Sequence, residues 1–240
     1  MNRGFSLIEV AVVLAIVGLL LGSTLFGLSA QLEARSRSDT QRRLEEARDL
    51  LLSFALVNGR LPCPGTASGE EAGGGASPCS ASYGGFLPAR TIGFQPTDND
   101  GFGLDAWGNR IRYAVSATQW GPAPARFTRQ HGAASAWSLS QKPADLVVCS
   151  ASPASAAAVA CAPNAALTNQ NTVVAIVFST GRNGAVPRGA NEARNVDANG
   201  LFVSRAPDPP SAAGGEFDDQ LVWIPVGLLY GRMVAGGVLP

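Results

Sequence analysis

From Val10 to Leu32 the chain carries no charged residue. The apolar run Leu7–Leu28 that overlaps this stretch is interrupted only by Glu9, Ser23, Thr24 and the glycines at 18, 22 and 27. As a helix, Phe5–Leu28 reaches roughly 36 Å at about 1.5 Å per residue, against a bilayer core of about 30 Å. Such a segment can be covered by lipid or by a bundle of like helices, or it can be removed by cleavage. Arg3 and the small residues around Leu28-Ser29-Ala30 fit a cleaved secretory signal; the competing reading is a membrane anchor. Two features weigh against the signal. The run exceeds the usual apolar core of about 7–15 residues. It also holds a carboxylate at Glu9, and an acid at the centre of an inserted helix costs about 2.5–3.5 kcal/mol.

Composition narrows the function classes. Lys+Arg and Asp+Glu are both 18 in 240 residues, so no general excess of base grips nucleic acid, and none is expected as a partner. A local patch such as Arg126/Arg129 escapes that average. One histidine, His131, excludes His-rich metal sites and reads as a surface residue, with no nucleophile motif near it. The tryptophans Trp107, Trp120, Trp137 and Trp223 are too dispersed for a stacking platform and read as packing residues.

Beyond Ala30 the sequence turns polar but stays helical. Gln31–Val57 lacks Gly and Pro, carries five charges of each sign, and repeats Leu44, Ala47, Leu51 and Phe54 on one face. Asn58-Gly59 and Pro62 stop the helix. Arg60–Asp105 is rich in Pro, Gly and Ser and reads as a long loop. Strands are expected at Arg110–Val115, Asp145–Cys149, Thr172–Phe178, Leu201–Ser204 and Gln220–Ile224, with a short helix over Val226–Gly236. One long helix followed by strands implies an α+β fold, with the helix packed on an antiparallel sheet.

Gly4-Phe5-Ser6-Leu7-Ile8-Glu9, followed by the apolar helix, resembles the N-terminus of type IV prepilins and type II secretion pseudopilins. Three head segments extend the resemblance to the major pseudopilin. They are Asp105-Ala106-Trp107-Gly108-Asn109, Phe178-Ser179-Thr180-Gly181-Arg182-Asn183-Gly184, and Phe217-Asp218-Asp219-Gln220-Leu221-Val222-Trp223. The long head, the extra cysteines and Ala106 in place of a proline depart from the major subunit and leave a minor pilin-like subunit open. The resemblance implies that prepilin peptidase cuts after Gly4 and that Phe5 becomes the methylated N-terminus. Residues 1–4 are then a leader and 5–30 a transmembrane and filament-core helix. Residues 31–58 are its amphipathic continuation, and 59–240 a periplasmic head. The precursor sits in the bacterial inner membrane as a single-pass protein and then joins other pilin or pseudopilin subunits as a structural, non-enzymatic component.

Glu9 lies four residues after the new amine. It either meets the positive end of its own helix or neutralises the Phe5 amine of a neighbouring subunit, which would penalise wrong registers. With the head in an oxidising periplasm, Cys63–Cys79 and Cys149–Cys161 are the pairings that proximity favours, among three that four cysteines allow. No cofactor is required, but the resemblance makes Asp218 and Asp219 calcium ligands or, alternatively, a strand cap. Thr97-Asp98-Asn99-Asp100-Gly101 also clusters oxygens but lacks the glutamate an EF-hand needs at its twelfth position, and reads as an Asx-rich turn. The alternatives to a filament subunit are a secreted enzyme or ligand-binding domain with an ordinary signal peptide, and an adhesion or DNA-uptake pilin. N-terminal sequencing of the mature protein is expected to begin at methylated Phe5; a start at Gln31 would establish the signal peptide instead.

Overall fold

A computed structural model describes residues 6–119, 127–129, 144–155, 158–184 and 186–238. Helix α1 spans Leu7–Asn58. Its first turn is closed by Ser6, whose carbonyl accepts from the Glu9 N–H at 3.0 Å and whose hydroxyl accepts from the same group at 3.4 Å. Its end is set by Gly59, in the left-handed region at φ 63°, which donates its N–H to the Ala55 carbonyl at 2.9 Å.

The chain divides into two compact units, Met1–Asp39 and Thr40–Pro240. In the first, the apolar side chains Leu7, Ile8 and Leu19 stand 92%, 73% and 76% exposed. Among the described residues, which leave out the side chains of 20–29, no helix is long and apolar enough to cross a membrane. Glu33 and Arg37, one turn apart, form an ion pair at 3.0 Å.

The second unit is built on a four-stranded antiparallel sheet in the order Gly85–Phe86, Arg112–Val115, Val173–Ser179, Gln220–Pro225. The strands are β1 (Gly85–Phe86), β2 (Arg112–Val115), β4 (Val173–Ser179) and β6 (Gln220–Pro225). All seven residues of β4 are buried, as expected of a central strand covered on both faces. On one face, Leu44, Ala47, Leu51 and Ala55 of α1 pack with Tyr113, Val177 and Ile224 of the sheet. Leu229 and Met233 of a C-terminal helix, Val226–Ala235, join the same cluster. On the other face Ile176 and Phe178 meet Leu146, Val148 and Phe202. These last come from around a second, two-stranded sheet of β3 (Val147–Cys149) and β5 (Leu201–Val203).

The α+β architecture therefore matches the expected class. A difference in topology lies in β3 and β5, which run parallel, because a long crossover rather than a hairpin connects them. That crossover contains β4 and a short helix, α3 (Ala190–Val196), while α2 (Ala89–Ile92) interrupts the long loop. The C-terminal helix is α4.

Both local cystines are formed: Cys63–Cys79 with Cα atoms 5.3 Å apart and Cys149–Cys161 with Cα atoms 5.5 Å apart. The first closes the long loop next to a two-pronged ion pair in which Arg60 donates to both Glu71 oxygens at 2.7 Å. Glu71 also accepts the Cys63 N–H at 3.2 Å. These covalent and charge-assisted contacts add to the burial of Leu61, Leu87 and Phe94, which tie this Gly-rich loop into the main core. Leu51 is fully buried and Leu32 is half exposed. Leu51→Ala is expected to cost about 2–5 kcal/mol in urea unfolding of the chain, and Leu32→Ala less than about 0.5 kcal/mol.

Candidate functional site

Three separated segments converge on the turn after β4. Asp105 is buried, and its Oδ1 accepts from the Trp107 N–H at 2.9 Å and the Asn109 N–H at 2.8 Å. Its Oδ2 accepts from the Ser179 hydroxyl at 2.6 Å. Asn109 in turn donates to the Gly181 carbonyl at 2.7 Å, and Gly181 donates its N–H to Ser179 Oγ at 3.1 Å. The same loop is tied to α1: Arg43 donates to the Leu104 and Asp105 carbonyls, and Thr40 Oγ1 accepts from the Ala106 N–H at 3.1 Å. Burial raises the Asp105 pKa, opposed by the Ser179 hydroxyl and the two backbone donors.

The third segment closes the turn. Asp218 Oδ2 accepts from the backbone N–H groups of Arg182 at 3.0 Å and Asn183 at 3.4 Å. Gly181 is required here, because it holds φ at 62° and a β-carbon on it would collide with Asp218 Oδ1. Beside this turn, carboxylate oxygens of Glu192, Asp218 and Asp219 lie within 4.8 Å of one another, all three residues buried. Glu192 accepts from Asn183 Nδ2 with both oxygens at 2.9 Å, from the Arg188 N–H at 2.8 Å and from the Asp218 N–H at 3.1 Å. Asp219 Oδ2 accepts from Asn195 Nδ2 at 2.6 Å. Neighbouring Glu216 is compensated separately by Arg182 and Arg188, each at 3.1 Å.

Burial pushes Asp219 up to about 8, with repulsion from Glu192 and Asp218 adding to it against the Asn195 hydrogen bond. Burial and the Glu192 charge push Asp218 up to about 6. Three buried carboxylates at this spacing are tolerated only when protons or a cation neutralise them. The donor set is hard oxygen, the type a calcium-like cation takes. Asp218 Oδ1 and Asn183 Oδ1 fit that role, being buried oxygens without a hydrogen-bond partner.

Of the residues singled out in the sequence, Asp218 and Asp219 come together, and Glu192 joins them without having been anticipated. Glu192 sits in a seven-residue helix with no apolar periodicity to mark it. Asp98 and Asp100 both ion-pair with Arg110 at 2.7 Å, and Asp98 also accepts the Phe102 N–H at 2.9 Å, so a guanidinium already balances that turn. Glu9 lies exposed in the first turn of α1. Trp107 and Trp223 are partly buried, Trp223 against the cluster around Phe178. Gly4, Phe5, Trp120, Arg126, His131 and Trp137 lie outside the described residues.

Residues 1–25 match the family model described as the prokaryotic N-terminal methylation motif. The match supports a type IV pilin-like family and fits a membrane-anchored precursor. No curated protein and no solved structure matches the chain.

The unfolded chain releases carboxyl protons near pH ~4, whereas the fold retains them on Asp218 and Asp219. The stability this contributes is complete below about pH 4 and is lost as pH rises through about 6 and then about 8. In a chelating buffer the urea midpoint is expected to fall across that window, and Asp219→Asn to flatten its upper half; a midpoint that rises from pH 5 to 8 would contradict the assignment.

Proposed function

We propose that the chain is a structural, non-enzymatic subunit of a type IV pilus or type II secretion pseudopilus. Prepilin peptidase removes residues 1–4, Phe5 is methylated, and residues 5–30 hold the precursor in the inner membrane as a single pass before they enter the filament core. Residues 31–58 continue the helix, and residues 59–240 form the periplasmic head. The observation that carries this reading is the methylation-motif match over residues 1–25, where Gly4, Phe5 and Glu9 stand in the order that processing and assembly require. The exposed apolar side chains at the start of α1 support it, since they are a surface that lipid or neighbouring helices would cover.

Glu9 is the register device in this reading. A buried carboxylate or a buried ammonium alone is costly, and the two together are not, so a helix entering the bundle settles where its Phe5 amine meets a neighbour's Glu9. Calcium belongs to the same proposal. Asp218, Asp219 and Glu192 would hold it, with the orphaned oxygens of Asp218 and Asn183 facing the same need for a cation. When bound, it supplies the positive charge that this buried cluster lacks.

Replacing Glu9 with Gln removes the charge while keeping size and polarity. Processing and membrane association are expected to persist, because a neutral amide is easier to bury than a carboxylate. Recovery in sheared filament fractions is expected to fall at least about tenfold, equivalent to ~1.4 kcal/mol. Normal co-assembly of Glu9→Gln would remove the carboxylate from this role, and absence of the unaltered chain from filament fractions would overturn the subunit reading.

A further inference from the structure

Among the described residues, helix α3 is held in a way no other helix of the head is. Its buried residues are Glu192, Arg194 and Asn195, all polar, so its position depends on hydrogen bonds and charge rather than on apolar burial. Four of its side chains reach outward to different partners. Glu192 enters the acidic cluster directly. Asn195 reaches the same cluster through Asp219 Oδ2, and its amide also brackets β5, donating to the Val203 carbonyl at 3.0 Å and accepting the Val203 N–H at 2.7 Å. Asn191 Oδ1 accepts the Ser152 N–H at 2.8 Å, and Arg194 donates to the Ala158 carbonyl. Ser152 and Ala158 both lie between the cystine residues Cys149 and Cys161.

We infer that α3 couples cation binding at the Glu192–Asp218–Asp219 cluster to the order of β5 and of the segment enclosed by Cys149–Cys161. The inference rests on the calcium reading above and adds what occupancy of the site controls. When ionised, the three close carboxylates repel one another, and this acts on α3 twice, at Glu192 and through Asp219 at Asn195. A divalent cation shared by the three replaces that repulsion with attraction toward one point. Because α3 has no buried apolar side chain to hold it in register, the change is passed to its remaining contacts, at Ser152, Ala158 and Val203. The Ser204 N–H donates to the Cys149 carbonyl at 2.9 Å, so β5 and the cystine are also linked directly and respond together.

The test is amide hydrogen exchange on the full chain in detergent micelles, with calcium chloride or with a chelator, alongside calorimetry of calcium binding. Calcium is expected to slow exchange at the Ser152 and Val203 amides at least about tenfold, with little change at the Val177 amide in the central strand. Asn191→Ala is expected to keep calcium affinity and the Val203 response while losing the Ser152 response. Calcium binding in calorimetry without any slowing at Ser152 and Val203 would overturn the coupling and leave the calcium reading intact. No binding at millimolar calcium would overturn both.

Discussion

The buried carboxylate of Asp105 is the contact on which the head is organised. It joins a loop pinned to α1 by Thr40 and Arg43 to the end of the central strand at Ser179. Hydrogen bonds to a charged acceptor in a site of low polarity are individually strong, and the one from Ser179 joins Asp105 to a residue 74 positions away in the chain. Apolar packing presses α1 onto the sheet without choosing an axial position, since Leu, Ala and Val surfaces tolerate sliding. Arg43 and Thr40, bonded to the backbone of residues 104–106, choose it. Through Asn109 and Gly181 the same network fixes the turn that presents Asp218, so the acidic cluster inherits its geometry from the helix–sheet docking.

Much of the head was legible in the sequence because its elements carry strong periodicities. The apolar face of Leu44, Ala47 and Leu51 on α1 is buried as its spacing requires, and the continuous apolar run of β4 is covered on both faces. Two strands start later than their composition implies, where a charged residue is diverted. β2 begins at Arg112, because Arg110 turns away to meet Asp98 and Asp100. β3 begins at Val147, because the Asp145 carboxylate accepts the Tyr83 hydroxyl at 2.6 Å. The parallel pairing of β3 with β5 had no local signature, since strand direction is fixed by the connection and not by composition.

The candidate site was half legible. Asp218 and Asp219 stand out as adjacent acids before a strand, whereas Glu192 belongs to a short polar helix that no pattern marks. What brings Glu192 to them is the Asn183 side chain and the Asp218 N–H, from segments 9 and 26 residues away, beside the local Arg188 N–H. A carboxylate cluster assembled by tertiary contacts in this way is invisible to any window of sequence. The cystine pairs were legible for the opposite reason: each joins near neighbours, 16 and 12 residues apart.

The order of strands in the main sheet also has a kinetic side. Its edge strand β6 ends at residue 225, and the helix face at Leu44–Ala55 is closed by Leu229 and Met233 of α4. Part of that helix face therefore stays uncovered until Leu229 and Met233 are in place, although Tyr113 and Val177 cover the rest earlier. Loops of that size close slowly, and partly synthesised chains keep the Leu51 face open. The helix–sheet core can be completed only after residue 233 has emerged, and until then a nascent chain must be kept from its neighbours.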